Sequence, residues 1–191
     1  YAIDSAGNPS ETVYKDIVYD YEAPILNKVI DEEPESTYLK LNDRFSFANK
    51  NEILVSDNYA LDRYEIVATK NDVLQTGEGA ETGYWYKKVF DAGVKEATKD
   101  EMKIPEFTAT EAMNGNWKFT ITVYDKAGNK AETVRSFTVD ATSPTLTAIS
   151  TVPDKTKNYL PEEGATNYSF TFKGSASDVG GSSLAGIYVS L

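Results

Sequence analysis

From Asn116 to Asp125 apolar and polar residues alternate: Trp117, Phe119, Ile121 and Val123 fall on one face, Lys118, Thr120, Thr122 and Tyr124 on the other. A period of two is that of a strand buried on one side. Ala127-Gly128-Asn129 then supplies residues that tolerate positive φ, so the chain is expected to turn and return as a second strand, Ala131 to Val139. Glu52 to Ser56 and Leu61 to Ala68 are rich in Ile, Leu, Val and Tyr and flank the polar pair Asp57-Asn58, which predicts two more strands and a turn. Tyr84 to Phe90 is aromatic and β-branched, a further strand. Lys70 to Gly83 reads as a polar loop, and Glu96 to Lys103 as one or two helical turns. Short strands separated by turns, without a long amphipathic helix or βαβ alternation, predict an all-β chain built as a β-sandwich.

The chain also matches itself. Asp4-Ser5-Ala6-Gly7-Asn8 followed by Glu11-Thr12-Val13 returns as Asp125-Lys126-Ala127-Gly128-Asn129 followed by Glu132-Thr133-Val134. Ile17-Val18-Tyr19-Asp20, Pro24 and Leu26 return as Phe137-Thr138-Val139-Asp140, Pro144 and Leu146. A weaker pair sets Phe45-Ser46-Phe47, Asp57, Leu61 and Ile66 against Tyr168-Ser169-Phe170, Asp178, Leu184 and Val189. A unit of roughly 120 residues follows from this spacing. Only residues 24–143 then form a complete domain. Residues 1–23 read as the C-terminal hairpin of a preceding copy and residues 144–191 as the N-terminal part of a following one, a window on a longer array. These partial copies are expected to leave apolar faces uncovered. The junctions Asp20-Tyr21-Glu22-Ala23-Pro24 and Asp140-Ala141-Thr142-Ser143-Pro144 are short and carry a proline of fixed φ, so units should sit end to end with limited bending.

A strand that runs into Asp-x-Ala-Gly-Asn, turns, and leaves through Val-Asp-x-x-x-Pro resembles the bacterial immunoglobulin-like repeats of large secreted and surface-attached proteins, adhesins especially. Val123 to Asn129 and Val139 to Pro144 carry the likeness here, and the first copy departs from it in having Tyr19 before Asp20. The resemblance implies an immunoglobulin-like β-sandwich in tandem repeat, an extracellular location at the cell surface or secreted, and neighbouring repeats of the same chain as partners. It implies the function of a structural spacer in an adhesin-like stalk.

Composition narrows the chemistry. The 191 residues include no His and no Cys. That excludes imidazole acid–base catalysis, thiol nucleophiles, disulfides and His- or Cys-ligated metals. An enzyme is not expected. A formal net charge of −11 argues against nucleic acid, whose phosphates need clustered Lys and Arg. No stretch approaches the apolar length of a membrane span, so membrane insertion is not expected of this segment.

Oxygen ligands remain, and Ca²⁺ takes about six to eight of them. In a sandwich of this kind Asp20 and Glu22 of the incoming linker are expected to approach Asp57, Asn58 and Asp125 at the same end of the complete domain, forming a candidate calcium site that would stiffen the joint. Asp140 and Asp178 are the analogous pair at the second junction. The competing reading needs no ion: Asp and Asn at turns satisfy local backbone amides, and no Asp-x-Asp-x-Asp-Gly loop is present. Gly77-Glu78-Gly79-Ala80-Glu81-Thr82-Gly83 lacks the context of a phosphate loop and reads as an ordinary loop. Tyr84 and Tyr86, placed across the strand from Trp85, are candidates for contact with a glycan or a host protein. They support the alternative function, a carbohydrate- or protein-binding accessory module of a secreted enzyme or adhesin; core packing is the competing use of these rings. Asn167-Tyr168-Ser169 is a formal glycosylation sequon.

Overall fold

A computed structural model describes residues 1–15, 17–27, 38–47, 53–147 and 174–188. In chain order the elements are β1 (Ile25–Leu26), β2 (Tyr38–Leu39), β3 (Arg44–Phe45), β4 (Ile53–Ser56), β5 (Leu61–Lys70), β6 (Val73–Gln75), β7 (Tyr86–Val89) and β8 (Glu96–Thr98). They are followed by the short helix α1 (Lys99–Met102), then β9 (Phe107–Thr108), β10 (Gly115–Asp125), β11 (Lys130–Val139), β12 (Thr145–Thr147) and β13 (Ser175–Ser177). The fold is all-β, as the alternation predicted. The Tyr168-Ser169-Phe170 half of the weaker repeat, its Val189 and the sequon lie outside the described residues.

The largest sheet has the order β2-β11-β10-β5-β6, with β7 also paired to β5. Its centre is the predicted hairpin: β10 and β11 run antiparallel from Gly115↔Val139 to Tyr124↔Lys130. β5 uses its first half to pair with β7 and its second to pair with β6. A second sheet, β1-β4-β8, and the two-stranded pair β3-β9 complete the main body. Trp117, Phe119, Ile121 and Val123 are buried, as their shared face required. Around Phe119 gather the rings of Phe45, Phe47, Trp85, Phe107, Trp117 and Phe137. Leu54 and Val55 of β4 and Ala97 of β8 join the same core, so the sheets share one apolar interior.

Two expectations need correcting. Lys70 to Gly83 is not all loop, because β6 folds back on β5 through Asn71 and Asp72, with φ of 48° and 65°. Asn and Asp tolerate the left-handed region at both central positions of such a hairpin, a signal that the polar composition concealed. Glu96 to Lys103 divides between a strand and a helix. Thr98 ends β8 and caps α1, receiving the Glu101 amide on its hydroxyl while the Glu101 carboxylate accepts the Thr98 amide.

The Asp-x-Ala-Gly-Asn loop takes the same form at both of its positions. Asp4 N–H donates to the Asn8 carbonyl, Gly7 N–H to the Asp4 carbonyl, Asn8 N–H to Asp4 Oδ1, and Asn8 Nδ2 to Asp4 Oδ2. The same four bonds recur among Asp125, Gly128 and Asn129. Gly7 and Gly128 take φ of 89° and 96°, a conformation that favours glycine. Burial differs between the copies. Ile17 and Tyr19 are each 86% exposed, while their counterparts Phe137 and Val139 are 5% and 0% exposed. No helix among the described residues is long and apolar enough to cross a membrane.

Candidate metal centre at the first junction

Register brings the acids together. β1 pairs with β4 through Ile25↔Ser56, which sets the segment before Pro24 beside Asp57. β10 ends with Asp125 opposite Leu61, after a bulge at Tyr124/Asp125, so the loop leaving β10 stands beside the turn entering β5. The Lys126 amide donates to the Ala60 carbonyl, and the Lys126 ammonium pairs with Asp62, fastening loop to turn. Of the five candidate ligands, Asp20, Asp57 and Asp125 converge: one carboxylate oxygen of each lies within 4.8 Å of the others. Asp57 and Asp125 are buried, at 8% and 2% exposure, and Asp20 is half-buried.

Asn58 joins the cluster through its amide nitrogen, which donates to Asp20 Oδ1 at 3.3 Å. The Glu22 carboxylate stays outside the group, on an exposed residue. Glu22 contributes its backbone instead: its N–H donates to Asp20 Oδ1, and its carbonyl accepts from Asn129 Nδ2 at 3.2 Å.

Asn129 is the residue that the sequence reading missed. Its side-chain nitrogen lies within bonding distance of the Asp20 carbonyl, the Glu22 carbonyl and Asp125 Oδ2. It therefore holds the segment before Pro24 to the loop between β10 and β11. The available signal is its place as last residue of both Asp-x-Ala-Gly-Asn loops.

Turn chemistry accounts for part of the cluster. Asp57 Oδ1 accepts the Tyr59 and Ala60 amides at 2.9 and 2.6 Å. Asp125 accepts the amide and side chain of Asn129. Asp57 Oδ2 is buried and has no hydrogen-bond partner among the described residues. Among the described residues no Lys or Arg pairs with Asp20, Asp57 or Asp125. Only oxygens converge as possible ligands, which suits a hard cation such as Ca²⁺.

At the second junction Ser182 stands between the two acids. Its amide donates to Asp140 Oδ2 and its hydroxyl to Asp178 Oδ2, while Thr142 N–H and Gly180 N–H occupy Oδ1 of Asp140 and Asp178. Hydrogen bonds from Ser182, and then from the Thr142 amide, hold the Asp140 carboxyl below its ordinary range. Every carboxylate oxygen of this pair has a partner.

The aromatic candidates are engaged within the fold. The Tyr86 hydroxyl donates to the Met102 carbonyl, and its ring meets Tyr64 edge-on at 6.2 Å. The Lys87 ammonium lies over the Tyr84 ring at 4.5 Å. Trp85 packs into the core against Phe107, Trp117 and Phe119. Trp85 and Tyr86 both line an open cleft of about 530 Å³ with Glu81, Lys87, Lys103 and Pro105.

No curated protein and no solved structure matches the chain. Residues 4–140 match the family described as Domain of unknown function (DUF4625), a match that spans the first Asp-x-Ala-Gly-Asn loop, the clamped linker and the strands from β1 to β11. The chain belongs to that family.

Proposed function

We propose that this chain is a structural spacer: a segment of immunoglobulin-like units from a repetitive extracellular bacterial surface protein, similar to the stalk of an adhesin. The observation that carries the reading is the Asn129 clamp. A linker whose Asp20 and Glu22 carbonyls are tied to the end of the next unit resists bending, and buried Pro24 adds a fixed φ at the point of entry. Joints of this type, repeated, transmit length. The net charge of −11 keeps neighbouring acidic surfaces apart in solution.

The test uses the absence of native cysteine. Spin labels on Ala6→Cys and Lys118→Cys, both at exposed positions, report the distance from the first loop to the complete unit by double electron–electron resonance. Wild type should give a narrow distribution and Asn129→Ala a broad one, with circular dichroism unchanged. Equal widths in the two proteins would remove the joint and the spacer reading with it.

A further inference from the structure

We infer that Asn114 is a site of spontaneous deamidation, and that the segment after β11 sets its rate. Asn114-Gly115 is the one Asn-Gly pair among the 191 residues. Asparagine followed by glycine is prone to this reaction because no side chain on the second residue hinders attack by its backbone nitrogen. The Gly115 nitrogen bonds to Asn114 Cγ, the Cγ–NH₂ bond breaks, and the displaced amide proton leaves with the ammonia. A five-membered succinimide results. Water then opens the ring at either carbonyl and leaves aspartate or isoaspartate at 114.

The fold requires the pair and also restrains it. Gly115 takes φ of 133°, a conformation that favours glycine. A Cβ on it would lie 2.8 Å from the Asn71 side chain, whose Oδ1 accepts the Asn116 amide. A bulkier residue that would slow the reaction is therefore excluded from position 115. Restraint comes from the segment after β11. Asn114 Oδ1 accepts the Ala141 amide at 2.7 Å, and its Nδ2 donates to Thr142 Oγ1 at 2.6 Å. Ring closure needs Cβ and the Gly115 nitrogen eclipsed across the Cα–C bond, and at ψ of 131° they are not. Asn114 must shed Ala141 and Thr142 before it can react.

Asn129 is the control within the molecule. It clamps the segment before Pro24 much as Asn114 clamps the segment after β11, but Lys130 follows it, with a side chain that hinders attack. The product at 114 cannot restore the clamp. Aspartate still accepts the Ala141 amide but has no hydrogen to donate to Thr142. Isoaspartate also adds a methylene to the backbone where Gly115 opens β10 opposite Val139. Deamidation therefore releases the segment after β11 in one direction only, at a rate set by how often that segment comes away. The site stands whether or not the chain is a spacer, because it needs only the fold around β10 and β11.

The experiment incubates the 191-residue chain at mildly alkaline pH, folded or in urea, and follows the tryptic peptide Ile104–Lys118 by mass spectrometry, with fragmentation to separate Asn114 from Asn116. Labelling by isoaspartate methyltransferase reads the branched product. In urea Asn114 should convert faster than Asn129. In the folded chain Asn114 should convert at least about tenfold more slowly than in urea. Thr142→Val removes the acceptor for Nδ2 and should speed the folded reaction about fivefold, with Asn129 unchanged. Asn114→Asp, the unbranched product, should melt about 4 °C below wild type. Should Thr142→Val fail to fold by circular dichroism, Thr142→Ala carries the same criterion. Absence of conversion at Asn114 in urea overturns the site. Equal rates folded and in urea, or an unchanged rate in the folded Thr142 variant, overturn control by the segment after β11. An Asn114→Asp chain that melts with wild type overturns the release.

Discussion

The Tyr64 hydroxyl is buried and has no hydrogen-bond partner among the described residues, and burial pushes its pKa well above the ordinary tyrosine value. A hydroxyl in that position carries a desolvation cost of about 1–3 kcal/mol. Tyr64→Phe keeps the edge-on contact with Tyr86 and removes the unmet group, so it should be neutral or stabilising by up to about 1 kcal/mol in urea denaturation. A clear loss would show that the hydroxyl has a partner in solution. Asp57 Oδ2 resembles it only in lacking a partner. Asp57 is an acid gathered with Asp20 and Asp125, whereas Tyr64 lies in the apolar core, so only at Tyr64 does the absence argue for truncation. Alternation predicted the burial of Trp117 and Phe119. It could not reveal which polar atoms within the core would be left unmatched, because that depends on what lies opposite each of them.

At the scale of elements, hairpins were more legible than the segments that close them. β10 and β11 carry a clean period and a glycine-containing turn, so both were readable within one residue. β6 has three residues and needs β5 beside it, and β2 has two residues paired in parallel with the far end of β11. Strands that short have too few alternations to show a period. The segment after β11 offers a pH test. Asp140 has a folded pKa lowered from 3.8, so its stabilising contribution is complete above that unfolded value and is lost as pH falls through the still lower folded value. The difference in unfolding free energy between wild type and Asp140→Asn should therefore be constant above about pH 5 and shrink on acidification below pH 3.8. A difference that does not change with pH would mean that the charge on Asp140 is not what Ser182 and Thr142 recognise.

Across the whole molecule the aromatic interior holds the sheets together. Phe119 is fully buried and touches rings from β3, β9 and β11 as well as Trp85, so Phe119→Ala should cost about 3–5 kcal/mol. Val134, 45% exposed on β11, should lose less than about 1 kcal/mol on the same change. Comparable denaturation midpoints for the two variants would contradict a single shared core. Sequence by itself determined the β class, the central hairpin and its buried face, the repeated Asp-x-Ala-Gly-Asn loop, and the restriction to oxygen ligands that follows from having no His and no Cys. These properties are local or compositional. Tertiary structure alone decided that Asp20, Asp57 and Asp125 meet while the Glu22 carboxylate stays away, that Asn129 reaches the linker, and that Ser182 occupies the acids of the second junction. Each of these depends on pairing register between segments tens of residues apart, and register is fixed by the packing of the faces behind it rather than by any residue in the site.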